Sequence, residues 1–342
     1  MTVDDRVPIW VDCDPGQDDV MALAIAATNP HFNLVGVSIV HGNTSQLNAT
    51  NNALRFLSAI GRTDVPVFPG AKQSLSGTTN YVPGVHGKTG LNGSPLLPHA
   101  TFDAKSTSEF FPYLQKQIVE HEGKLCIAAI GPLTNMSLFF RQYPESKQRI
   151  RYMSIMGGGF QCFNVGKSEF NVITDTIAAD EILSDFDLCD KILLAPLDLT
   201  LKTAATSEQR QRVLGAVTED EATNFRAMMY QMMVFYFRGA NISVTDPTLG
   251  PSVHDPTSIA ALLYFTGVAS QLEFKARKVY VRVAPETGEF VTDTEAETGL
   301  LFLHDLNVDK FWDLLIDTYD RIDKVAPMNK MDRKTLIAGN SD

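Results

Sequence analysis

The sequence predicts an α/β protein: an open, mostly parallel sheet in a Rossmann-like arrangement, with helices on both faces and a small added β-hairpin. Short apolar runs alternate with longer amphipathic runs, which is typical of α/β folds. The apolar runs do not alternate strictly in polarity, as expected for parallel strands covered on both faces. Glu273 to Val291 does alternate and turns at Pro285 to Gly288, and this pattern predicts the hairpin.

The individual elements follow from the same patterns, read along the chain. Strands are predicted at Val7–Val11, Leu34–Val40, Leu125–Ile130, Tyr152–Met156 and Ile192–Leu197. Helices are predicted at Val20–Ala27, Ala49–Ile60, Phe110–Glu122, Asn135–Arg141, Ser207 to about Arg238, after Pro256, and at Asn307–Arg321 with Trp312 on its apolar face. Internal repeats and low-complexity linkers are absent from the sequence, so we expect residues 1–342 to form a single domain.

Composition limits the classes of function. The chain has 342 residues, 44% of them hydrophobic, and a formal net charge of -11. This charge argues against a nucleic-acid or anionic membrane partner, since either would need clustered basic residues. The acidic start and the lack of a long apolar run predict a cytoplasmic protein. The four cysteines are widely spaced, which favours reduced thiols over zinc ligands or disulfides.

Acidic residues are concentrated in one short segment, where Asp12, Asp14, Asp18 and Asp19 surround a Pro-Gly turn. The first two share one side of a predicted strand end. The last two fall in the first turn of the next helix, where negative charge is favoured. One or two such acids could simply cap a helix or face solvent. Four in a partly buried crevice would repel one another without a cation. Oxygen ligands indicate Ca²⁺ or Mg²⁺, and a site with many ligands favours Ca²⁺.

Three other segments end at the same predicted edge of the sheet and carry glycines that let a ligand approach the backbone. They are His41–Asn43, Ile130–Asn135 and Met156–Gly159. The loop from Gly70 to His99 is too long for a simple connection, so we expect it to bind a ligand. In open α/β sheets, ligands bind outside the carboxyl ends of the strands. The sequence therefore predicts one site at this edge.

These motifs occur in an order that resembles the inosine-uridine-preferring nucleoside hydrolase family over nearly the whole chain. The motifs are Asp12–Asp19, Gly42-Asn43, His86–Leu91, Gly131–Asn135, Met156–Gly159, Glu169–Asn171, His254–Pro256 and Asn307–Asp313. The resemblance implies the nucleoside hydrolase fold and Ca²⁺-dependent cleavage of the N-glycosidic bond of ribonucleosides, in purine or pyrimidine salvage. It also implies a homodimer or homotetramer.

Residue roles are carried over from the resemblance by position. One Ca²⁺ would be bound by the carboxylates of Asp14, Asp19 and Asp255 and by the backbone carbonyl of Ile130. Asp14 would act as general base and His254 as general acid. The ribose would be held by Asp18, Asn43 and Asn171 at the vicinal hydroxyls, by Asn164 and Glu169 at the 5′-hydroxyl, and by Met156 along the ring. His86 would contact the nucleobase and Tyr236 would stack on it.

The chain departs from the family pattern in three places. The spacing from Asn164 to Glu169 is one residue short, with Phe163 in place of a glycine, and Asp175-Thr176 replaces the usual Asp-Pro. The segment Gly239–Gly250 does not align clearly, so the preferred base is left open. Two other classes stay possible on the acidic motif alone: an aspartate-nucleophile phosphatase and a non-catalytic nucleoside-binding protein.

Overall fold

One nine-stranded sheet forms the centre of the molecule. The computed structural model describes residues 6–239, 249–293 and 298–340. The strands are β1 (Val7–Cys13), β2 (Phe32–Ile39), β3 (Val67–Pro69), β4 (Cys126–Ala129), β5 (Tyr152–Met156), β6 (Ile192–Ala195), β7 (Lys275–Val283), β8 (Phe290–Asp293) and β9 (Leu300–Asp305). Across the sheet they follow the order β3-β2-β1-β4-β5-β6-β9-β7-β8.

Strand direction places the loops that follow the parallel strands at one edge of the sheet. From β3 to β9 every neighbouring pair is parallel, whereas β7 runs antiparallel to both β9 and β8. The carboxyl ends of the parallel strands therefore meet on one side, where ligands bind in such sheets. The predicted α/β class, the mostly parallel sheet and the added hairpin of β7 and β8 are all confirmed.

Helices cover both faces of the sheet. They are α1 (Gln17–Thr28), α2 (Gln46–Ile60), α3 (Pro83–His86), α4 (Phe110–Glu120), α5 (Thr134–Gln142), α6 (Ser146–Arg149), α7 (Phe170–Thr174), α8 (Thr176–Leu183), α9 (Leu197–Thr200), α10 (Ser207–Leu214), α11 (Asn224–Gly239), α12 (Pro256–Phe265), α13 (Val308–Val325) and α14 (Arg333–Ala338). Helices α1, α2, α11, α12 and α13 pack in one apolar core. Helices α4, α5 and α8 pack in the other. In the part of the chain that the structure describes, no helix combines the length and apolarity needed to cross a membrane.

The five predicted strands all exist, with ends shifted by up to two residues. The short strand β3 and the inserted strand β9 were not predicted. Strand β9 lies between β6 and β7, so the hairpin joins the main sheet through a strand that comes later in the chain. In α13, Trp312 is fully buried as predicted.

The prediction of one long helix from Ser207 to about Arg238 was wrong. Two helices, α10 and α11, occupy this segment, and Gly215 ends the first of them in a left-handed conformation with φ of 91°. Residues without a side chain adopt this conformation at little cost. The break allows α11 to change direction, and the end of α11 brings Tyr236 to the candidate site described below.

Replacing Gly215 by alanine should destabilise the protein by about 1–2 kcal/mol, because a Cβ is strained at positive φ. Gly215→Asn is the matched variant, since asparagine tolerates the left-handed region better. We expect urea unfolding to give the order glycine, asparagine, alanine from most to least stable. Equal stability of the alanine and asparagine variants would contradict this account of the helix break.

Candidate active site

A cavity opens at the carboxyl edge of the parallel strands, at the place the sequence predicts. It is lined by Asp18, Asn43, Val82, Val85, His86, Ile130, Met156, Asn164, Val165, Glu169, Phe170, Asn171, Tyr236, His254 and Asp255. These residues come from the ends of strands β2, β4 and β5 and the loop after β5, from the start of α1, from the segment that contains α3, from helices α7 and α11, and from the segment just before α12. Segments far apart in sequence therefore contribute to one site.

The acidic segment forms a tight turn between β1 and α1. Asp19 closes the N-terminus of α1, because its Oδ2 accepts a hydrogen bond from the Gly16 N–H at 2.8 Å. Its Oδ1 accepts from the Asp14 N–H at 3.1 Å. This is the ordinary use of an acid at a helix N-terminus, where free N–H groups need acceptors. It also fixes Asp14 and Asp19 side by side, both fully buried below the cavity wall.

A second helix start meets the first. The carboxylate of Asp18 accepts hydrogen bonds from the backbone N–H groups of His254 and Asp255, just before α12. Asp18, Asp19 and Asp255 each offer an oxygen atom, and these atoms lie within 4.8 Å of one another. The three side chains are buried. The geometry thus provides a set of oxygen donors that could hold a metal ion.

Burial makes this cluster electrostatically costly. Desolvation, with the charge of neighbouring carboxylates, raises the pKa of Asp14 and of Asp255 well above the usual range. The same causes raise the pKa of Asp18 to about 8. No lysine or arginine lines the cavity among the described residues. A cation of suitable size would therefore stabilise the charged form of the cluster.

Asp14 is enclosed by backbone. Its Oδ2 accepts a hydrogen bond from the Asn43 N–H at 2.7 Å. A Cβ on Gly42 would lie 2.0 Å from Asp14 Oδ2, and one on Gly131 would lie 2.6 Å from Oδ1. Both loops need glycine for this close approach, which explains why glycines follow the predicted strand ends. Asn43 also donates from its side chain to Asp19 Oδ2 at 3.1 Å.

The start of α7 forms the opposite wall. Glu169 caps this helix and accepts from the N–H groups of Asn171 and Val172 and from that of Gly158 at 3.0 Å. Burial raises the pKa of Glu169 to about 6, although these backbone hydrogen bonds lower it. The Asn171 amide donates to the carbonyl of Ile130 at 3.0 Å. The Ile130 carbonyl, the predicted backbone ligand, therefore points towards side chains of the site.

Two histidines and a tyrosine line another part of the cavity. The rings of His86 and Tyr236 stack with centroids 5.3 Å apart. Burial, with the nearby His254, lowers the pKa of His86 to about 3. Burial also lowers the pKa of His254 to about 4, and its Nδ1 is hydrogen-bonded to Thr200 Oγ1 at 2.7 Å. Both imidazoles are therefore neutral at pH 7 in the protein alone.

Asp12 is separated from the other acids of the motif. Its Oδ1 accepts hydrogen bonds from Ser38 Oγ at 2.5 Å and from the Asn135 side chain at 2.7 Å. It does not line the cavity. Asn135 in turn accepts from the Ala71 N–H at 2.8 Å. Asp12 thus connects β1 to β2 through Ser38, and to α5 and the segment after β3 through Asn135. The expectation that all four acids of the segment share one crevice was wrong for this residue.

Every other residue predicted for the site lies at the cavity or directly below it. Asn164 lines it despite the shortened spacing to Glu169. Asp175 and Thr176, the second departure from the family pattern, form the cap and first residue of α8. Most of Gly239–Gly250, the third departure, lies outside the described residues. The prediction did not include Val82, Val85, Val165, Phe170, Thr200 or a contact of Gln17 with His86.

Comparison with solved structures agrees with this fold. A purine-preferring ribonucleoside hydrolase from Gardnerella vaginalis has a TM-score of 0.80 at 21% sequence identity, covering 93% of this chain and 100% of that chain. A plant nucleoside hydrolase has a TM-score of 0.77 at 24% identity, covering 92% of this chain and 98% of that chain. The molecule therefore has the fold of nucleoside hydrolases.

Comparison of sequences shows the family. Residues 9–313 match the model of the inosine-uridine preferring nucleoside hydrolases. A uridine nucleosidase of Saccharomyces cerevisiae is 32% identical, covering 95% of this chain and 99% of the relative. A pyrimidine-specific ribonucleoside hydrolase of Shewanella woodyi is 30% identical, covering 92% and 99%. The chain belongs to the inosine-uridine preferring nucleoside hydrolase family, and it is a hydrolase that acts on N-glycosyl compounds.

Asn135→Ala should destabilise the protein by about 1–3 kcal/mol, because it removes a donor from the buried Asp12 carboxylate and an acceptor from the Ala71 N–H. Asn164→Ala is the matched control, since Asn164 is exposed and its loss leaves no buried group unpaired. The free energy of unfolding in urea measures both. A similar small effect for the two variants would show that the Asp12 network contributes little to stability.

Proposed function

We propose that this protein is a Ca²⁺-dependent ribonucleoside hydrolase that converts nucleosides to ribose and free nucleobase in nucleoside salvage. The observation that carries the proposal is the buried cluster of Asp14, Asp18, Asp19 and Asp255. Such a cluster is stable in its charged form only with a cation, and hard oxygen donors without histidine or cysteine suit Ca²⁺. The cavity is lined by acidic as well as aromatic side chains, which fits a ligand with a polar sugar and a flat aromatic base.

The residues fit a single bound ion. Asp14, Asp19 and Asp255 would supply carboxylate oxygens, and Ile130 would supply its carbonyl. When bound, Ca²⁺ would acidify a water molecule and coordinate the ribose hydroxyls. Asn171 already orients the Ile130 carbonyl by its hydrogen bond. The Gly16 and Asp14 N–H groups fix the Asp19 carboxylate, so two of these ligands are held in place by the fold.

The other side chains define a sugar subsite. Asp18, Asn43 and Asn171 would bind the vicinal hydroxyls, Asn164 and Glu169 the 5′-hydroxyl, and Met156 would pack against the ribose ring. Asp14 would accept the proton of the attacking water. Cleavage of a glycosidic bond proceeds through an oxocarbenium-like transition state. The concentrated negative charge at this end of the cavity would stabilise the positive charge that develops on the ribose.

The departing nucleobase would leave from the aromatic end. Tyr236 would stack on the base, and His254 would protonate it. The low pKa of His254 means that its protonated form is a minority at neutral pH, but an acid of that strength transfers its proton readily. The Thr200 hydroxyl occupies Nδ1 of His254 and leaves Nε2 as the nitrogen for this transfer.

We propose a preference for pyrimidine nucleosides, because two relatives that match more than nine-tenths of the chain are named as a uridine nucleosidase and a pyrimidine-specific hydrolase. We also propose that residues 1–342 form one domain, since one sheet includes strands from Val7 to Asp305. A cytoplasmic location is supported by four cysteines that are all free. A homodimer or homotetramer is proposed on family resemblance alone.

The function is tested by a panel of uridine, cytidine, inosine and adenosine, scored for released reducing sugar with and without a chelator of Ca²⁺. We expect uridine to be cleaved fastest and the chelator to abolish turnover. Binding of uridine without release of ribose would identify a nucleoside-binding protein instead. Turnover of p-nitrophenyl phosphate would support the phosphatase alternative.

Ca²⁺ should also stabilise the folded protein, by about 2.7 kcal/mol at a concentration one hundred times the dissociation constant. Asp255→Asn removes one ligand charge and should abolish this stabilisation in thermal unfolding. Asp190→Asn is the control, because Asp190 is an exposed aspartate outside the cavity. Full stabilisation of the Asp255→Asn variant by Ca²⁺ would exclude Asp255 as a ligand.

His254→Ala should lower kcat for uridine by about 10²-fold, the contribution of a positioned acid. The same variant should lose far less activity on p-nitrophenyl riboside, because a nitrophenolate leaves without a proton. Rates on the two substrates, measured under saturation, make the comparison. Equal losses would mean that His254 binds the substrate and donates no proton.

A further inference from the structure

Gln17 is a polar residue of the acidic segment, and the proposed reaction assigns it no role. It lies in the first turn of α1, directly before Asp18, and is fully buried. Its side chain extends away from the carboxylates towards the loop that contains α3. The amide nitrogen lies 2.9 Å from the Asn92 carbonyl oxygen and 3.4 Å from the His86 carbonyl oxygen. Its oxygen lies 2.7 Å from Nδ1 of His86.

These contacts determine which way the amide faces. A backbone carbonyl can only accept a hydrogen bond, so the group facing the Asn92 and His86 carbonyls must be the NH₂ of Gln17. The side-chain oxygen of Gln17, an acceptor, must then face His86. Nδ1 of His86 is therefore the donor, and the neutral ring carries its proton on Nδ1.

The remaining ring nitrogen, Nε2, has a free lone pair in this tautomer. Within the described residues, the hydrogen bond of the His86 ring is made by Nδ1 and none is made by Nε2. The ring lines the cavity and is held between Gln17 on one edge and the stacked ring of Tyr236 on its face. A flip of the imidazole would break the 2.7 Å hydrogen bond to Gln17. His86 therefore offers the cavity a hydrogen-bond acceptor.

We propose that Gln17 is a positioning residue that holds His86 in the Nδ1–H tautomer, so that Nε2 accepts a hydrogen bond from a ring N–H of the nucleobase. This inference rests on the proposed function, since it takes the cavity to bind a nucleoside. The substrate class it selects is that of bases with an imide or lactam N–H, such as uracil and hypoxanthine. Cytosine and adenine have an unprotonated nitrogen at that ring position and would face the Nε2 lone pair.

The tautomer is tested directly by nitrogen-15 NMR of histidine-labelled protein, with the His86 signal assigned by its loss in His86→Phe. We expect the Nδ1–H signature in the parent protein. Gln17→Met, which has a similar shape without hydrogen-bonding groups, should give a mixture of tautomers. A parent protein with the proton on Nε2 would overturn the inference, whether or not any nucleoside is cleaved.

Recognition is tested with uridine and 3-methyluridine, which differ by the methyl group that replaces the ring N–H. The parent should favour uridine about tenfold in KM and in the dissociation constant from calorimetry, which corresponds to one hydrogen bond. Gln17→Met should remove this preference by weakening uridine alone, because 3-methyluridine has no ring N–H to lose a partner.

Gln17→Glu is the conservative variant, because a buried carboxylic acid also has one donor and one acceptor. It should keep both the Nδ1–H signature and the preference for uridine. An undiminished preference in Gln17→Met would overturn the role of Gln17. Failure of the proposed function would look different: no ribose would be released from any nucleoside, while the calorimetric preference would still report on His86.

Discussion

The structure of the site depends on buried carboxylates gathered where two helix starts meet. Asp18 at the start of α1 accepts hydrogen bonds from backbone N–H groups at the start of α12, and Asp255 approaches Asp18 and Asp19 from the other side. Helix N-termini favour negative charge, but they provide partial charges only. Burial and mutual repulsion therefore still raise the pKa values of these acids. A cation bound between these carboxylates would relieve this repulsion and would link α1 to α12.

The segments around these buried carboxylates have the small residues and hydrogen-bond donors that the carboxylates need. Asp14 reaches its position only because Gly42 and Gly131 leave no side chain in its way. Asp12 in turn links β2 and α5 through Ser38 and Asn135. One acid of the segment therefore supports the architecture, while Asp18 and Asp19 offer oxygen atoms that could hold a metal ion. Because successive aspartates have such different partners, equal substitutions along this segment have unequal consequences for folding and for activity.

Much of the proposed sugar subsite could be predicted from the sequence, because its residues follow the strand ends directly. Asp14, Asn43, Ile130 and Met156 each lie within a few residues of a parallel strand, and strand direction alone places them together. The base end could not be predicted in this way. Gln17 contacts His86 from 69 positions away, in a loop without periodicity. The apolar pattern likewise did not reveal the break at Gly215, which separates α10 from α11.

The proposed sugar and base subsites differ in what holds them in place. The proposed sugar subsite follows the strands of the main sheet and is rich in carboxylates, so its geometry follows from the fold that the family shares. The residues proposed to contact the base come from the α3 loop, from the end of α11 and from the segment just before α12, none of which is a strand of the sheet. Their polar groups are neutral imidazoles whose donor or acceptor character depends on a neighbour such as Gln17 or Thr200. In the proposed reaction, a single change in such a neighbour would therefore alter which base is recognised without removing a carboxylate that would act on the ribose.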